Sequence, residues 1–148
     1  MATLAKQFCT FRCDQYLFGI DVLQVQEIMR QLRSTRVPLA PAVVIGLINL
    51  RGQLVTALDL RERLDLPPRA EGLPCVNVVV RNGDNAVAFQ VDEIGDVVDV
   101  VDENFEATPE TVQGTARTLI AGVYKLQGQL LHILDIAKVI DVPLVAHA

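Results

Sequence analysis

The chain contains an internal repeat. Residues 45–66 (IGLINLRGQLVTALDLRERLDL) align with residues 121–142 (AGVYKLQGQLLHILDIAKVIDV) at a constant offset of 76. Identical residues occupy the aligned positions Gly46/Gly122, Leu50/Leu126, Gly52/Gly128, Gln53/Gln129, Leu54/Leu130, Leu58/Leu134, Asp59/Asp135 and Asp65/Asp141. Glycines and aspartates that recur in one register are harder to obtain by chance than leucines. The 148 residues therefore form two related halves, and halves this small should bury apolar surface against each other.

Each copy predicts a β-hairpin that is followed by a short helix. The expected elements are strands at 47–50 and 54–57 and a helix at 60–64 in the first copy, and strands at 123–126 and 130–133 and a helix at 136–140 in the second. Asp59 and Asp135 stand where the N-caps of the two helices belong. Asp59 and Glu62 have the spacing of a capping box, which Lys138 interrupts in the second copy.

The rest of the chain predicts a mainly β protein. Valine and isoleucine make up 30 of the 148 residues, and β-branched side chains favour strands. Further strands are expected at 8–13, 16–20, 76–81, 86–91 and 97–101, with a hairpin turn at 82–84. A weaker echo relates Ile20–Leu23 to Val91–Ile94 at an offset of 71. The proline-rich segment 67–74 is the predicted boundary between the halves, and 102–118 is the longest irregular stretch.

The charge balance argues against nucleic acid as a partner. Thirteen basic and eighteen acidic residues give a net charge of −5, the wrong sign for a phosphate-binding surface. Residues 1–74 carry nine basic and seven acidic groups, whereas residues 75–148 carry four basic and eleven acidic ones. A molecule with this polarity can meet one partner with a basic end and another with an acidic end, although an uneven solvated surface has the same composition.

Neither membrane insertion nor a cysteine-based site is expected. The longest apolar run, 37–48, is interrupted by two prolines and a glycine and is shorter than a bilayer span. The three cysteines form no C-x-x-C pair, so a disulfide framework and a zinc site are both disfavoured. Cys9 and Cys13 fit small buried apolar residues of a protein in a reducing, cytoplasmic compartment.

The sequence offers little for catalysis, so no catalytic residue, metal or cofactor is expected. It lacks the nucleophile-elbow, phosphate-loop, dinucleotide and zinc-protease motifs. A small β-barrel enzyme that uses His132 or Cys75 is the alternative from another class, and a small barrel that binds nucleic acid is a third. The acidic residues of 92–103 predict a solvated strand face, and Arg30, Arg33 and Arg36 predict a solvated loop or a site for an acidic partner.

One polar residue is singled out by the repeat. Arg51 stands at the turn of the first hairpin, where the second copy has Gln127. The fold therefore does not require a charge at this position. Arginine is a favoured anchor at protein interfaces, whereas a surface ion pair contributes only about 0–1 kcal/mol to stability. Arg51 is thus either an interface residue or a solvated turn residue.

Five segments carry a resemblance to a known family. They are FGIDVLQVQEI at 18–28, GLINLRG at 46–52, LDLR at 58–61, VAFQVD at 87–92 and IAGV at 120–123. Together they closely resemble the CheW family of bacterial chemotaxis adaptors. The resemblance implies a single mainly β CheW-like domain, in which two five-stranded SH3-like β-barrels related by the repeat pack together with short helices. Subdomain one is expected at about 14–72, and subdomain two at about 73–148 with the N-terminal strand 7–13.

The resemblance also implies a function without catalysis. It implies an adaptor that couples the cytoplasmic tip of chemoreceptors to the regulatory domain of the histidine kinase CheA, recruited to receptor arrays without membrane insertion. By the same resemblance, the receptor-binding residues are Val25, Glu27, Asn49, Arg51 and Gly52. The alternative within this class is a CheW-like scaffold of a separate chemosensory system that controls twitching or gliding motility. The kinase-binding residues are not specified by the sequence.

Overall fold

The structure is a computed structural model that describes residues 6–30 and 33–142. In chain order the elements are β1 (Lys6–Cys13), β2 (Tyr16–Asp21), β3 (Val25–Met29), β4 (Val44–Leu50), β5 (Gln53–Asp59), α1 (Leu60–Arg63), β6 (Val76–Asn82), β7 (Asn85–Val91), β8 (Glu93–Val100), β9 (Phe105–Glu106), α2 (Thr115–Leu119), β10 (Ile120–Leu126), β11 (Gln129–Leu134) and α3 (Ile136–Val139). Single 3-10 turns occupy Val22–Gln24 and Asp102–Asn104. The predicted mainly β class with short helices is confirmed.

The strands form two sheets, and each sheet contains strands from both halves of the sequence. One sheet has the order β8-β1-β2-β11-β10-β9, and the other has the order β3-β6-β7-β5-β4. The exchange takes place after the first hairpin of each half: β3 follows β2 but pairs with β6, whereas β8 follows β7 but pairs with β1. The weak sequence echo at offset 71 marks these two crossovers.

The two sheets divide the chain differently from the predicted subdomains, whose boundaries stay a prediction. The division into 14–72 and 73–148 plus 7–13 follows the sequence copies, whereas the five-stranded sheet is built from residues 25–91 and the six-stranded sheet from β1, β2 and β8–β11. The physical reason is the parallel pairing of β5 with β7 and of β11 with β2, which joins each repeat hairpin to a hairpin of the other half. Residues 31–32 and 143–148 of the predicted subdomains lie outside the described residues.

Both sheets bury both of their faces. Val79, Ala88 and Ala57 face the interior of the five-stranded sheet, while their strand neighbours Val78 and Phe89 face a cluster shared by the two sheets. The six-stranded sheet does the same, because Leu17 and Leu131 belong to its own interior and Phe18 and Leu134 belong to the shared cluster. Strands that are buried on two faces have nearly continuous apolar sequences, as the VNVVV segment of β6 does. The predicted burial of one half against the other is confirmed.

Each helix of the repeat begins at the predicted aspartate. The Asp59 carboxylate accepts a hydrogen bond from the backbone N–H three residues later at 3.3 Å, and Asp135 does the same at 3.4 Å. Lys138 therefore does not prevent capping in the second copy. The two helices also touch directly, because the Arg63 guanidinium of α1 donates to the carbonyls of Lys138 and Val139 at 2.8 Å.

The recurring glycines Gly46 and Gly122 lie where another segment approaches their strands. The strand register shifts at both positions, which are β-bulges in β4 and β10. A Cβ on Gly46 would stand 2.5 Å from the carbonyl oxygen of Thr35, which forms an antiparallel bridge with Leu47. A Cβ on Gly122 would overlap the ring of Phe105 on β9. In both copies of the repeat, the glycine thus leaves room for another segment to pack against the strand.

Candidate functional site

The β4–β5 hairpin places Arg51 and Gly52 at its two-residue turn. Arg51 has φ of 52° and Gly52 has φ of 87°, and positive φ at both central residues is the geometry of a type I′ turn. The Asn49 side-chain oxygen accepts a hydrogen bond from the Gly52 N–H at 2.9 Å and so fixes the turn. A left-handed backbone is unusual for arginine, and such strained residues cluster at functional sites.

Arg51 forms an ion pair with Glu27 on β3. Its Nη2 donates to Glu27 Oε1, and the side chains are 68% and 23% exposed. β3 and β4 are the two edge strands of the five-stranded sheet and are not hydrogen-bonded to each other. The ion pair therefore connects the two edges of the sheet. A β-bulge between Val25 and Glu27 sets the position of the carboxylate along β3.

The structure brings together four of the five predicted receptor-binding residues. Glu27, Asn49, Arg51 and Gly52 share one end of the five-stranded sheet through the contacts above. Val25 lies on the same strand as Glu27, but it is half-buried and packs against the shared core. The exposed guanidinium of Arg51 is thus held by the partly buried carboxylate of Glu27, and Val25 is the apolar residue on the same strand. Such an arrangement can bind a protein surface by charge-assisted hydrogen bonds.

The second hairpin shows which of these features folding needs. Gln53 and Gln129 occupy equivalent positions, and each accepts a hydrogen bond from an arginine of a neighbouring hairpin, at 3.0 and 2.9 Å. Gly128 has a φ of 78°, as its counterpart Gly52 also has a positive φ, but Gln127 does not have a positive φ. A two-residue turn thus forms in the second copy without a charge and without a left-handed residue before the glycine.

The sequence interpretation missed a second polar cluster, around Arg61 on α1. Its Nε and Nη2 donate to the two carboxylate oxygens of Asp92 at 2.9 and 2.5 Å, and its Nη1 donates to the Pro67 carbonyl at 2.8 Å. The Asp14 N–H donates to the Asp92 carboxylate at 2.8 Å. Burial would raise the pKa of Asp92, but the hydrogen bonds from Arg61 and Asp14 lower it below its ordinary value. The sequence signals for this pair were the echo that aligns Asp92 with Asp21 and the resemblance segments 58–61 and 87–92, none of which indicated that the two residues meet.

The acidic segment is therefore solvated only in part. Glu93, Asp96, Asp99 and the following acidic residues are exposed as predicted, but Asp92 is half-buried in its pair with Arg61. The side chains of Arg30, Arg33 and Arg36 are exposed.

Of the two residues considered for an enzyme, His132 has a packing role in the structure. His132 is 7% exposed, its Nδ1–H donates to the Leu17 carbonyl at 3.0 Å, and its ring contacts Tyr16 edge-on. Burial lowers the pKa of His132, while the hydrogen bond to Leu17 opposes this shift. The predicted burial of Cys9 and Cys13 is confirmed, and Cys75 is half-buried. Burial raises the pKa of the Cys13 thiol to about 12, so it is a poor nucleophile.

Residues 6–30 and 33–142 contain neither a metal-binding cluster nor a membrane-spanning helix. No group of three or more histidine, cysteine, aspartate or glutamate side chains is placed to hold a metal ion there. In the same residues, no helix has the length and apolarity needed to span a membrane.

Comparison with known proteins places the chain in a family context. The model of the CheW-like domain matches residues 7–143. The chain is 35% identical to the chemotaxis protein CheW of Bacillus subtilis over 124 residues, which cover 84% of this chain and 80% of that protein. It is 30% identical to the chemotaxis protein CheW of Klebsiella aerogenes over 139 residues, which cover 94% of this chain and 84% of that protein.

A solved structure shows the same fold. The crystal structure of the scaffolding protein TtCheW from Thermoanaerobacter tengcongensis superposes with a TM-score of 0.87 and 22% sequence identity. The match covers 97% of this chain and 100% of that one. The predicted architecture of two packed SH3-like barrels is confirmed, with the two-residue strand β9 added to one of them.

Proposed function

The chain belongs to the CheW family, and we propose that it is a non-enzymatic adaptor that couples chemoreceptors to a CheA-type histidine kinase in bacterial chemotaxis. Its proposed partners are the cytoplasmic tip of the receptors and the regulatory domain of the kinase, in arrays at the cytoplasmic side of the membrane. An adaptor of this kind makes and breaks no covalent bond. It acts by holding two proteins at a fixed distance and orientation.

The receptor site is proposed at the turn of the β4–β5 hairpin and the adjoining part of β3. The observation that supports it is the ion-paired Arg51, which is exposed and left-handed although the equivalent hairpin folds with Gln127. Glu27 limits the side-chain conformations of Arg51, so less conformational entropy is lost when a partner binds the remaining N–H groups. Asn49 and Gly52 fix the turn beneath the guanidinium, and Val25 contributes apolar surface.

The two sheets differ in charge, which fits two dissimilar partners. Residues 25–91, which build the five-stranded sheet, carry eight basic and six acidic side chains. The remaining residues, most of which build the six-stranded sheet, carry five basic and twelve acidic ones. The difference in charge between the two halves of the sequence is therefore also found between the residues of the two sheets. Binding to an acidic surface at the first sheet and to a basic surface at the second would differ in salt dependence.

Calorimetric titration of each partner separately tests this proposal. The wild type, Arg51→Ala, Glu27→Ala and the matched control Gln127→Ala are titrated with a receptor-tip fragment and with the kinase regulatory domain from the same genome. We expect wild type and control to bind both partners, and the two site variants to lose about tenfold or more in receptor affinity while they keep kinase affinity. Unchanged receptor affinity in both site variants would place the receptor site elsewhere. Absence of wild-type binding to both partners would refute the adaptor function.

A further inference from the structure

We propose that Arg61 is a positioning residue that fixes the six-stranded sheet against the five-stranded sheet. Its importance for coupling rests on the proposed function, because an adaptor must hold its two partner surfaces in one orientation. The geometry of Arg61 itself is independent of that function.

Arg61 binds acceptors on three separate segments. Its guanidinium is bidentate on Asp92 at the β7–β8 crossover, lies 3.8 Å from the Asp14 carboxylate in the β1–β2 turn, and binds the Pro67 carbonyl in the segment that connects the sequence copies. The Arg61 side chain is only 12% exposed. A buried, bidentate arginine has one well-defined conformation, so its contacts fix these segments relative to α1.

These segments belong to different sheets. Arg61 directly follows β5 of the five-stranded sheet, whereas Asp14 joins β1 to β2 in the six-stranded sheet, and Asp92 begins the crossover of the chain into that sheet. The other ion pairs of the described residues lie within one sheet or its flanking elements, as Arg51 with Glu27 does in the first and Lys125 with Glu106 does in the second. Arg63 makes a second contact between the two units, but its acceptors are the uncharged backbone carbonyls of α3. The pair of Arg61 and Asp92 is therefore placed to resist movement of one sheet against the other.

The same pair sets one wall of a cleft between the sheets. The cleft has a volume of about 620 Å³, and its lining includes Asp92, Glu93 and Ile94 on the β8 side and Arg30, Cys75 and Val76 on the other side. Asp92 lines the cleft directly before the first residue of β8, and its carboxylate is bound by Arg61. If this anchor is lost, β8 is still held by its pairing with β1 and by hydrogen bonds from Gln7 and Thr10 of β1, but all of these contacts lie within the six-stranded sheet.

Spin labels on the two sheets measure this positioning directly. Leu54 on β5 and Val97 on β8 are 67% and 54% exposed, so cysteines there can be labelled without disturbing the core. Cys75→Ser removes the half-buried native thiol, and Cys9 and Cys13 are buried. The distance distribution is recorded for the wild type, Arg61→Gln, Arg61→Lys and Asp92→Asn. Arg117→Gln is the matched control, because Arg117 also binds two backbone carbonyls but only within 109–117.

We expect the distribution to widen by about twofold in Arg61→Gln and Asp92→Asn and to stay narrow in the control. If Arg61→Gln does not fold, Arg61→Lys retains the charge without the planar fork and should still widen the distribution. Distributions as narrow as in the wild type for Arg61→Lys and Asp92→Asn would overturn the proposal.

Assembly with the partners provides the functional measurement. Receptor affinity should be nearly unchanged in Asp92→Asn, because the pair lies at the opposite end of β5 from the Arg51 turn, and kinase affinity is titrated in parallel. Formation of the three-component complex should fall by about tenfold beyond any change in the two separate affinities. Normal assembly in a variant with a widened distribution would overturn the role of Arg61 in coupling. Loss of wild-type binding to both partners would instead count against the adaptor function, and the spin-label result would stand.

Discussion

Replacement of Arg51 by asparagine should remove receptor binding without a loss of stability. The left-handed conformation costs an L-residue roughly 1–2 kcal/mol, and asparagine adopts it more readily than arginine. The ion pair with Glu27 is lost, but with Arg51 68% exposed such a pair contributes only about 0–1 kcal/mol. The two effects oppose each other, so the free energy of unfolding should change by between about 0 and +2 kcal/mol.

Urea unfolding at constant pH measures this difference, and Gln127→Asn is its matched control. The control replaces the equivalent turn residue, which has no positive φ and therefore no strain to release. We expect the control to lie within about 0.5 kcal/mol of the wild type and to bind the receptor fragment normally. A loss of more than about 1 kcal/mol in Arg51→Asn would mean that the ion pair holds the hairpin together. Arg51 would then be a structural residue, and the argument from the repeat would be refuted.

Three further predictions concern stability. Gly46→Ala should lower the free energy of unfolding by about 1–3 kcal/mol, because the added Cβ displaces the two backbone hydrogen bonds between Thr35 and Leu47. Unfolding curves measure this loss. A Leu47 amide that is still protected from hydrogen exchange in the variant would contradict the explanation. Stability should fall as the pH drops through 6.5, because His132 is protonated at a higher pH in the unfolded chain than in the folded one. Urea midpoints measured between about pH 7 and 5 should show this decrease, and the decrease should be smaller in His132→Gln. The lowered pKa of Asp92 contributes stability that is present above pH 3.8 and lost as the pH falls below it; an acid-unfolding curve of Asp92→Asn that matches the wild type would contradict this.

The local elements were predictable because each has a short-range signal. The repeat hairpins, their turn glycines and the capping aspartates Asp59 and Asp135 all lie where the sequence placed them. Strand β3 was not predicted, because its burial alternates but its polarity does not: Glu27 takes a half-buried position, whereas Ile28 is exposed. Helix α2 and the two-residue strand β9 lie in the stretch interpreted as irregular, and both are too short for a periodic pattern.

The long-range features were not predictable from local pattern. The exchange of hairpins between the sheets depends on which strand edge each crossover reaches, and no residue near Val25 or Glu93 encodes that choice by itself. The bidentate pair of Arg61 with Asp92 joins residues 31 positions apart in the sequence, and it was hidden because Asp92 opens a run of acidic residues that are otherwise exposed. The candidate site was accessible only through the family resemblance and the difference between the two hairpins.

A comparison of the two copies separates residues that maintain the fold from residues that have acquired another role. The shared positions are strand bulges, turn glycines, glutamines bound by arginines, and helix caps, all of which serve the hairpin and its helix. Arg51 and Arg61 are positions where the copies differ, because the second copy has Gln127 and Ala137 there. Since the second copy folds without these charges, neither guanidinium is required to build a sheet. One contacts a residue across the edges of its own sheet and remains exposed, and the other contacts the opposite sheet and is buried. The first copy therefore carries two charges that its hairpin does not need, one at the surface that we propose for a partner and one that we propose holds this surface in a fixed orientation.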